Sequence, residues 1–271
     1  MNILLTGCKG YIGSVLTDEL KKKGFFIKGL DTDYYSDCLL HEYEEDYKFI
    51  KKDIRDINKE DLNDIDAVIH LAALSNDPLG EFNTKLTEEI NLKSTINLAK
   101  LSKESGVKRF IYISSQSMYG ISSTDEELDE EDSIKNPITS YAKTKWEAEC
   151  FLKEYSSENF SIVCFRPSTV FGASPRLRCD IVFNNFVACA YTTKLIEIKS
   201  DGTPWRPVIH IKDVCNALLA GLEAPKDIIK GNSYNIGYEN GNFSVRELAE
   251  AAAKSISVSV ISPGAESKTL T

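Results

Sequence analysis

Several features that mark other classes of protein are missing from this sequence. No apolar run approaches the roughly 18 residues of a membrane-spanning helix, so we expect no membrane partner. The formal net charge is −9 and no run of lysine and arginine is present, which argues against nucleic-acid binding. The 3 histidines lie far apart and none of the 7 cysteines forms a C-x-x-C pair, so the spacing predicts no metal site.

The start of the chain and its cysteines predict a cytoplasmic protein. The first residues have the pattern of a strand, whereas a secretory signal has a charged start and an apolar core. The cysteines are scattered and odd in number, which is typical of reduced thiols. With 271 residues, of which 42% are hydrophobic, the chain has enough material for one large or two small domains.

A glycine-rich turn, TGCKGYIG at 6–13, follows the first apolar strand. Its glycines recur every third residue and are Gly7, Gly10 and Gly13. An amphipathic helix is predicted next, from Tyr11 to Lys23. Glycine lets the backbone approach a pyrophosphate closely, and a helix N-terminus attracts anions. The pattern therefore predicts a dinucleotide-binding turn; a turn without a ligand is the alternative.

An acidic residue ends the second predicted strand. The apolar segment Phe25–Leu30 is followed by Asp31, about 20 residues after the glycines. A carboxylate at this place can accept hydrogen bonds from both ribose hydroxyls and repels a 2′-phosphate, which predicts NAD rather than NADP. An ordinary turn residue at the end of a strand is the alternative.

Two later segments are predicted to contact the cofactor as well. Asp53, after a third strand, could reach an adenine amino group while Ile54 packs on the ring; a solvated turn is equally compatible. The strand that begins at Ala67 runs into small residues, which would let a dinucleotide lie across its end. The contacts expected there are Leu71, Ala72 and Ala73. His70 is expected in the core or in a hydrogen-bond network, without a catalytic role.

A tyrosine and a lysine four residues apart carry the predicted chemistry. Tyr141 and Lys145 fall on one face of a helix that is predicted to begin at Ser140. A nearby cation favours the phenolate, so the tyrosine can exchange the proton of a substrate hydroxyl. Ser115, at the end of the apolar strand Arg109–Ser114, would orient that oxygen. An exposed pair with no role is a common alternative.

The order of the elements predicts an α/β fold. Strands and helices alternate through the first two-thirds of the chain, which is typical of a doubly wound parallel sheet. From Gly172 the alternation loosens, and a helix after Ser244 begins with a capping box completed by Glu247. We therefore predict a Rossmann domain over 1–171 and a smaller mixed α/β substrate-binding domain over 172–271. The helix at 212–223 is expected to pack back on the first domain, and the strand at 233–236 to belong to the second.

Together these motifs resemble the extended short-chain dehydrogenase/reductase superfamily, specifically its NAD-dependent nucleotide-sugar epimerases and dehydratases. The matching segments are TGCKGYIG (6–13), Asp31, DIRD (53–56), HLAA (70–73), Asn91, SSQSMYG (114–120), YAKTK (141–145), RPSTVFG (166–172) and DGTPWRPVIHIKDV (201–214). The resemblance covers the chain from Met1 to about Lys254. It implies NAD as cofactor, a nucleotide sugar as substrate and a homodimer joined through the helices that hold Asn91 and Tyr141.

The resemblance also implies roles for individual residues. Ser115, Tyr141 and Lys145 look like the catalytic Ser-Tyr-Lys set. The implied cofactor contacts are the three glycines, Asp31, Tyr11, Ile12, Tyr141, Lys145, Pro167 and Ser168. The implied substrate contacts are Ser115, Gln116, Ser117, Asn185 and Arg206. Asn185 and Arg206 resemble residues that hold the substrate diphosphate, to which a planar guanidinium is suited; a loop cation beside Trp205 is the alternative for Arg206.

Two departures from the family pattern bear on the activity. The 4,6-dehydratases carry Asp-Glu after the catalytic hydroxyl, where this chain has Gln116 and Ser117, and neither of these is a general acid for water loss. The residues after Lys254 match little, which leaves the nucleotide base open. We predict a NAD-dependent epimerase that acts on a nucleotide sugar, at C4, through a transient keto intermediate. A ketoreductase or dehydrogenase, or a non-catalytic dinucleotide sensor on the same fold, remains an alternative.

Overall fold

The computed structural model describes residues 1–120 and 128–261. The chain divides into two compact units. Of the described residues, the first unit contains those within 1–167, 174–176 and 213–236, and the second contains 168–173, 177–212 and 237–261. These bounds differ from a single boundary after residue 171, because 174–176 and 213–236 belong to the first unit. The end of the poorly matching tail, 262–271, lies outside the described residues.

The described elements alternate as the sequence pattern predicts. The strands are β1 (Asn2–Thr6), β2 (Phe26–Asp31), β3 (Lys48–Lys51), β4 (Ala67–His70), β5 (Arg109–Ile113), β6 (Ser161–Pro167), β7 (Thr169–Phe171), β8 (Leu195–Glu197), β9 (Trp205–His210), β10 (Asn232–Ile236), β11 (Asn242–Ser244) and β12 (Ser259–Ile261). The helices are α1 (Tyr11–Lys22), α2 (Asp77–Phe82), α3 (Thr84–Thr87), α4 (Ser94–Glu104), α5 (Ser140–Tyr155), α6 (Val182–Thr193), α7 (Ile211–Glu223), α8 (Lys226–Ile229) and α9 (Val245–Ile256). Short 3₁₀ turns cover Ile54–Asp56, Lys59–Leu62 and Gln116–Tyr119.

The first unit is built on a seven-stranded sheet in the order β3-β2-β1-β4-β5-β6-β10. All neighbouring strands in it are parallel. The chain order therefore reverses between β1 and β4, where Thr6 pairs with His70. This confirms the predicted doubly wound Rossmann fold, in which ligands bind beyond the carboxyl ends of the strands at the point of reversal.

The placement of β10 in the smaller domain was wrong. It pairs with β6 from Asn232↔Val163 to Ile236↔Pro167 and forms one edge of the large sheet. Three of its five residues, NSYNI, are polar, which suits an edge strand. Helices α7 and α8 supply the crossover that a parallel pair requires. The path of that crossover decides which sheet β10 joins. The short, polar sequence of β10 gives little indication of this path.

The helical pattern over Phe82–Ser105, followed by Gly106, predicts one long helix that ends at the glycine. The prediction of a single helix is wrong. The segment contains α3, a wide π-helical turn at Glu88–Lys93, and α4. Within the π turn Asn91 is buried and makes hydrogen bonds with both the N–H (2.8 Å) and the carbonyl (3.0 Å) of Leu74. The extra residue in that turn is a common feature of functional segments. Gly106, with φ +82°, ends α4 as predicted.

The second unit contains the sheet β11-β9-β7 and the pair β12-β8. Its core includes Phe186 on α6, Val208 on β9 and Leu248 on α9. The predicted capping box at the start of α9 is confirmed, since the Ser244 hydroxyl accepts from the Glu247 N–H and the Glu247 carboxylate accepts from the Ser244 N–H at 2.7 Å. None of the helices within the described ranges is long and apolar enough to cross a bilayer.

Candidate active site

The glycine turn joins β1 to α1 and is too close to its surroundings for larger residues. Gly7 has φ +72°, and an added Cβ would lie 2.8 Å from the Ala72 nitrogen. A Cβ on Gly13 would lie 2.1 Å from the Gly7 carbonyl oxygen. Gly10 caps α1 without a side chain, and the first turn holds no acidic residue. Neither a capping group nor a carboxylate therefore competes with an anion for the amides of that turn, so the residues fit a pyrophosphate.

The bend after β4 is anchored to the glycine turn by Thr6. The Thr6 carbonyl accepts from the Leu71 N–H at 3.1 Å, and its hydroxyl accepts from the Ala72 N–H at 3.3 Å. The same hydroxyl lies 2.7 Å from Nδ1 of His70, whose Nε2 lies 2.8 Å from the Thr95 hydroxyl. Burial, with a smaller effect from Lys145, lowers the pKa of His70 to about 3, so the ring is neutral. This confirms the predicted place of His70 in a hydrogen-bond network.

The other residues predicted near the turn are also fixed by contacts. Tyr11 is 7% exposed and its carbonyl accepts from the Ser174 hydroxyl at 2.8 Å, while Ile12 is partly buried. Asp31, at the carboxyl end of β2, accepts from the N–H groups of Lys9 and Asp33, each at 3.0 Å. These two bonds orient the Asp31 carboxylate beside the turn.

Asp53 and Ile54 have protein partners in the structure. The Asp53 carboxylate accepts from the Arg55 N–H at 2.9 Å and pairs with its guanidinium at 2.8 Å. Hydrogen bonds from the Arg55 side chain lower the pKa of Asp53. Ile54 is only 4% exposed and belongs to the core. Their contact with adenine remains a prediction.

The catalytic serine predicted at 115 caps the 3₁₀ turn that follows β5. Its hydroxyl accepts from the Ser117 N–H at 3.1 Å and donates to the Ser117 hydroxyl at 2.9 Å. The Gln116 amide nitrogen donates to the carbonyls of Arg166 (3.2 Å) and Ile236 (3.5 Å). These carbonyls belong to β6 and to the last residue of β10, so the Gln116 side chain is held at the sheet's carboxyl edge.

Tyr141 and Lys145 lie one turn apart near the start of α5. Thr139 caps this helix, and Tyr141 is partly buried beside Gly80, where an added Cβ would lie 3.3 Å from the Tyr141 Cβ. Lys145 is 3% exposed, and its ammonium donates to the carbonyl of Ile113, two residues before Ser115, at 2.7 Å. Helix α5 thus places Lys145 at the strand end that carries the serine.

Burial has a large effect on Lys145. It lowers the pKa of the ammonium to about 7, although the Cys164 thiol has a smaller opposite effect. The nitrogen lies 4.8 Å from the centroid of the Tyr112 ring, which stabilises the charged form in part. Near neutral pH the lysine is therefore poised between its charged and neutral forms. Its influence on the pKa of Tyr141 remains a prediction.

The sequence analysis missed a buried ion pair that supports the serine turn. Arg166 on β6 and Glu149 on α5 are both fully buried, with Nε and Oε1 3.0 Å apart. Arg166 also donates to the Tyr119 hydroxyl at 2.8 Å, and Ser233 on β10 donates to Glu149 at 2.7 Å. Tyr119 ends the turn that begins after Ser115. An arginine inside the apolar segment SIVCFRP was the available signal.

Of the remaining predicted residues, only Pro167 belongs to the first unit. Ser168 is buried, and its hydroxyl has no hydrogen-bond partner among the described residues. Asn185 is exposed at the start of α6 and donates to the Cys179 carbonyl at 3.0 Å. Arg206 is exposed on β9 and donates to the Trp205 carbonyl at 2.8 Å. Their roles with a ligand remain predictions. In the part of the chain that the structure describes, no group of three or more His, Cys, Asp or Glu could hold a metal ion.

A glycine-rich turn at the reversal point of a doubly wound parallel sheet defines a dinucleotide-binding α/β protein. A model of the NAD dependent epimerase/dehydratase family matches residues 3–237, so the chain belongs to this family, within the extended short-chain dehydrogenase/reductases. NAD is its cofactor.

Relatives of both reaction types are similar to this chain. The dTDP-D-glucose 4,6-dehydratase of Homo sapiens is 32% identical over 259 residues, which are 92% of this chain and 72% of the human protein. The UDP-glucuronate 4-epimerase of Thermodesulfobacterium geofontis is 30% identical over 260 residues, which are 91% and 78% of the two chains. One solved structure is the UDP-glucuronic acid 4-epimerase from Bacillus cereus in complex with UDP-glucuronic acid and NAD. It has a TM-score of 0.81 to this chain at 29% identity, and the match covers 97% of this chain and 86% of the epimerase chain.

Proposed function

We propose that this protein is a NAD-dependent epimerase that inverts C4 of a nucleoside-diphosphate sugar through a transient keto intermediate. The observation that carries the proposal is the pair that follows Ser115. The side chains of Gln116 and Ser117 are too weakly acidic to serve as general acids near neutral pH, and the Gln116 amide nitrogen donates to two backbone carbonyls. Overall identity does not choose between the reactions, since it is 32% to a dehydratase and 30% to an epimerase.

The residues of the first unit supply proton transfer and orientation. NAD, when bound, supplies a hydride acceptor that can return the hydride. Tyr141 takes the proton of the C4 hydroxyl as the C4 hydrogen leaves as hydride, and gives that proton back when hydride returns to the opposite face. Ser115 hydrogen-bonds the same oxygen, and the Lys145 ammonium favours the phenolate form of Tyr141. Redox state, atoms and charge are unchanged over the full cycle.

Dehydration needs a further catalytic group in addition to Ser115, Tyr141 and Lys145. Elimination of water requires a general acid for the leaving hydroxyl. The amide of Gln116 and the hydroxyl of Ser117 do not supply one. Glu149, the buried carboxylate on α5, is held in its ion pair with Arg166. The described site therefore favours a reaction that ends with return of the hydride to C4.

The substrate is proposed to be a UDP or dTDP sugar, because the named relatives act on these two classes. Asn185 and Arg206 are proposed to hold its diphosphate. Arg206 is exposed and its guanidinium retains donors beyond the one that bonds the Trp205 carbonyl. A sugar phosphate that lacks the diphosphate could not make this contact with Arg206 and would bind less tightly.

A panel of UDP and dTDP sugars incubated with the protein tests the proposal. We expect NMR to show inversion at C4 for at least one sugar, with no change of mass and no net NADH. Tyr141→Phe should lower this rate by about 10²- to 10⁴-fold. Tyr155→Phe, on the same helix and partly buried against the core, is the matched control and should retain the activity.

The other reactions give different products. Loss of one water from the sugar would make the protein a dehydratase, and stoichiometric loss of NADH on a keto sugar would make it a reductase. A rate that is the same in wild type and Tyr141→Phe would support a protein that senses the dinucleotide without catalysis. Each of these results contradicts the epimerase proposal.

A further inference from the structure

A lysine in the glycine turn is held by carboxylates from the segment after β2. Lys9 directly precedes Gly10, and its ammonium lies 2.9 Å from Glu45 and 3.3 Å from Asp33. It also lies 4.3 Å from the centroid of the Phe49 ring. The side chain is only 15% exposed. Burial alone would lower the pKa of Lys9, but its hydrogen bonds with Glu45 and Asp33 raise it overall, so the ammonium stays charged.

The same group of residues surrounds Asp31. Its two carboxylate oxygens accept the N–H groups of Lys9 and Asp33. Asp33 adopts a left-handed backbone conformation, φ +58°, which aspartate tolerates better than most residues. The backbone N–H groups of Asp33 and Lys9 thus both donate to Asp31. The side chains of Asp33 and Lys9 also form an ion pair with each other. Lys51, 4.0 Å from Asp33, is a second and more exposed cation.

This arrangement bears on the adenosine ribose of the cofactor. A 2′-phosphate is bound through charge-assisted hydrogen bonds from lysine or arginine. The backbone N–H of Lys9 donates to Asp31, the residue proposed to hold the ribose, so the Lys9 side chain starts beside the ribose site. Without its carboxylate partners, the Lys9 ammonium would offer such a cation. The ammonium is instead held by two carboxylates. The group as a whole contains three carboxylates, Asp31, Asp33 and Glu45, against two ammonium ions.

We propose that Asp33 and Glu45 are specificity-determining residues that exclude NADP by holding Lys9, so that the preference for NAD does not depend on Asp31 alone. The proposal rests on the contact between Asp31 and the ribose that is part of the proposed site. It is independent of the reaction that the enzyme catalyses.

Calorimetric binding of two cofactor fragments tests this assignment. ADP-ribose and 2′-phospho-ADP-ribose are titrated into nucleotide-free wild type and into the double variant Asp33→Asn/Glu45→Gln, at fixed low salt. Asparagine keeps the tolerance for the left-handed conformation at 33. We expect the affinity ratio to shift toward the 2′-phosphorylated fragment by at least about tenfold. Adding Lys9→Gln to the double variant should remove this gain.

A matched double variant separates the role of Lys9 from general charge. Glu42→Gln/Glu44→Gln removes two exposed carboxylates from the same segment that do not pair with Lys9, and it should leave the ratio unchanged. The proposal is overturned if the affinity ratio shifts equally in this control, or if it does not shift in Asp33→Asn/Glu45→Gln. It is also overturned if the gain survives the addition of Lys9→Gln. Retained ADP-ribose binding shows that each variant is folded.

A separate variant tests the placement of the ribose. Asp31→Ala should weaken ADP-ribose. If it does so while Asp33→Asn/Glu45→Gln leaves the ratio unchanged, the role of Lys9 fails and the placement of the ribose stands. If Asp31→Ala leaves ADP-ribose affinity unchanged, the placement itself fails and the assignment of Asp33 and Glu45 fails with it.

Discussion

Lys145 should make the stability of the first unit depend on pH. Burial lowers the pKa of its ammonium from 10.5 to about 7 in the folded chain. Between these two values the unfolded chain binds a proton that the folded chain does not. The free energy of unfolding therefore rises with pH across this interval, and the penalty for the buried ammonium is largest below pH 7.

The size of this effect follows from the two pKa values. One proton corresponds to about 1.4 kcal/mol per pH unit. Integrated from about pH 7.5 to 9.5, with half-titration of the folded group near 7, the gain is about 2–3 kcal/mol. Lys145→Met removes the titrating group and keeps a side chain of similar length. The difference in unfolding free energy between wild type and Lys145→Met should therefore increase by about 2–3 kcal/mol over that interval.

Urea unfolding of nucleotide-free protein measures this difference. The chain has 2 tryptophans, and Trp205 belongs to the second unit, so a Trp205→Phe background makes fluorescence report Trp146 on α5. Lys143→Met, an exposed lysine on the same helix, is the control and should follow the wild-type pH dependence. If Lys145→Met also runs parallel to wild type, Lys145 is not a cation with a depressed pKa and the reasoning is refuted.

Two further predictions concern the buried ion pair and the glycine turn. Glu149→Gln leaves the fully buried Arg166 without its counter-charge and should lower the unfolding free energy by about 3–5 kcal/mol in urea titrations. The exposed control Glu147→Gln should lose less than about 1 kcal/mol. A loss this small in Glu149→Gln would contradict the prediction. Gly13→Ala places a Cβ 2.1 Å from the Gly7 carbonyl oxygen and should abolish calorimetric binding of NAD, whereas Gly237→Ala, with open space around its Cβ position, should not. An unchanged NAD affinity in Gly13→Ala would show that the turn does not form the cofactor site.

The parts of the fold that were predicted correctly depend on short stretches of sequence. The glycine turn, the end of α4 at Gly106 and the capping box at Ser244 are each specified within a few residues. The alternation of strands and helices predicts the parallel sheet for the same reason, because each crossover is local. His70 was placed correctly because its neighbours in AVIHLAA are apolar and it ends a buried strand.

The parts that were missed depend on residues far apart in the chain. Glu149, Arg166 and Ser233 meet only because α5, β6 and β10 are neighbours in the folded first unit. The contacts of Gln116 with the carbonyls of 166 and 236 have the same origin. No local pattern specifies which distant carbonyl an amide will reach. The sequence therefore leads to a hypothesis for the catalytic set, but it does not predict the contacts that support the serine turn.

The resemblance to the 4,6-dehydratases implies that Gln116 lies where those enzymes carry an acidic residue. Its amide nitrogen lies 3.2 Å and 3.5 Å from two carbonyl oxygens. A glutamate side chain has the same length, and only its protonated form can donate to these acceptors. Gln116→Glu should therefore introduce a carboxyl whose pKa lies above its usual value of about 4.3.

Such a carboxyl would keep its proton to a higher pH than a free glutamate does, and water elimination requires a group near the substrate that can donate a proton. We expect Gln116→Glu to keep C4 inversion and to release some dehydrated sugar, detected by mass, while the uncharged control Gln116→Leu releases none. Carbon-13 NMR of labelled glutamate, with the wild-type spectrum subtracted, gives the titration midpoint. A midpoint at or below about 4.3 would mean that the two carbonyls do not face the introduced group. An elevated midpoint without dehydration would show that the position at 116 does not reach the leaving hydroxyl, and the choice between the two reactions would then lie in other residues.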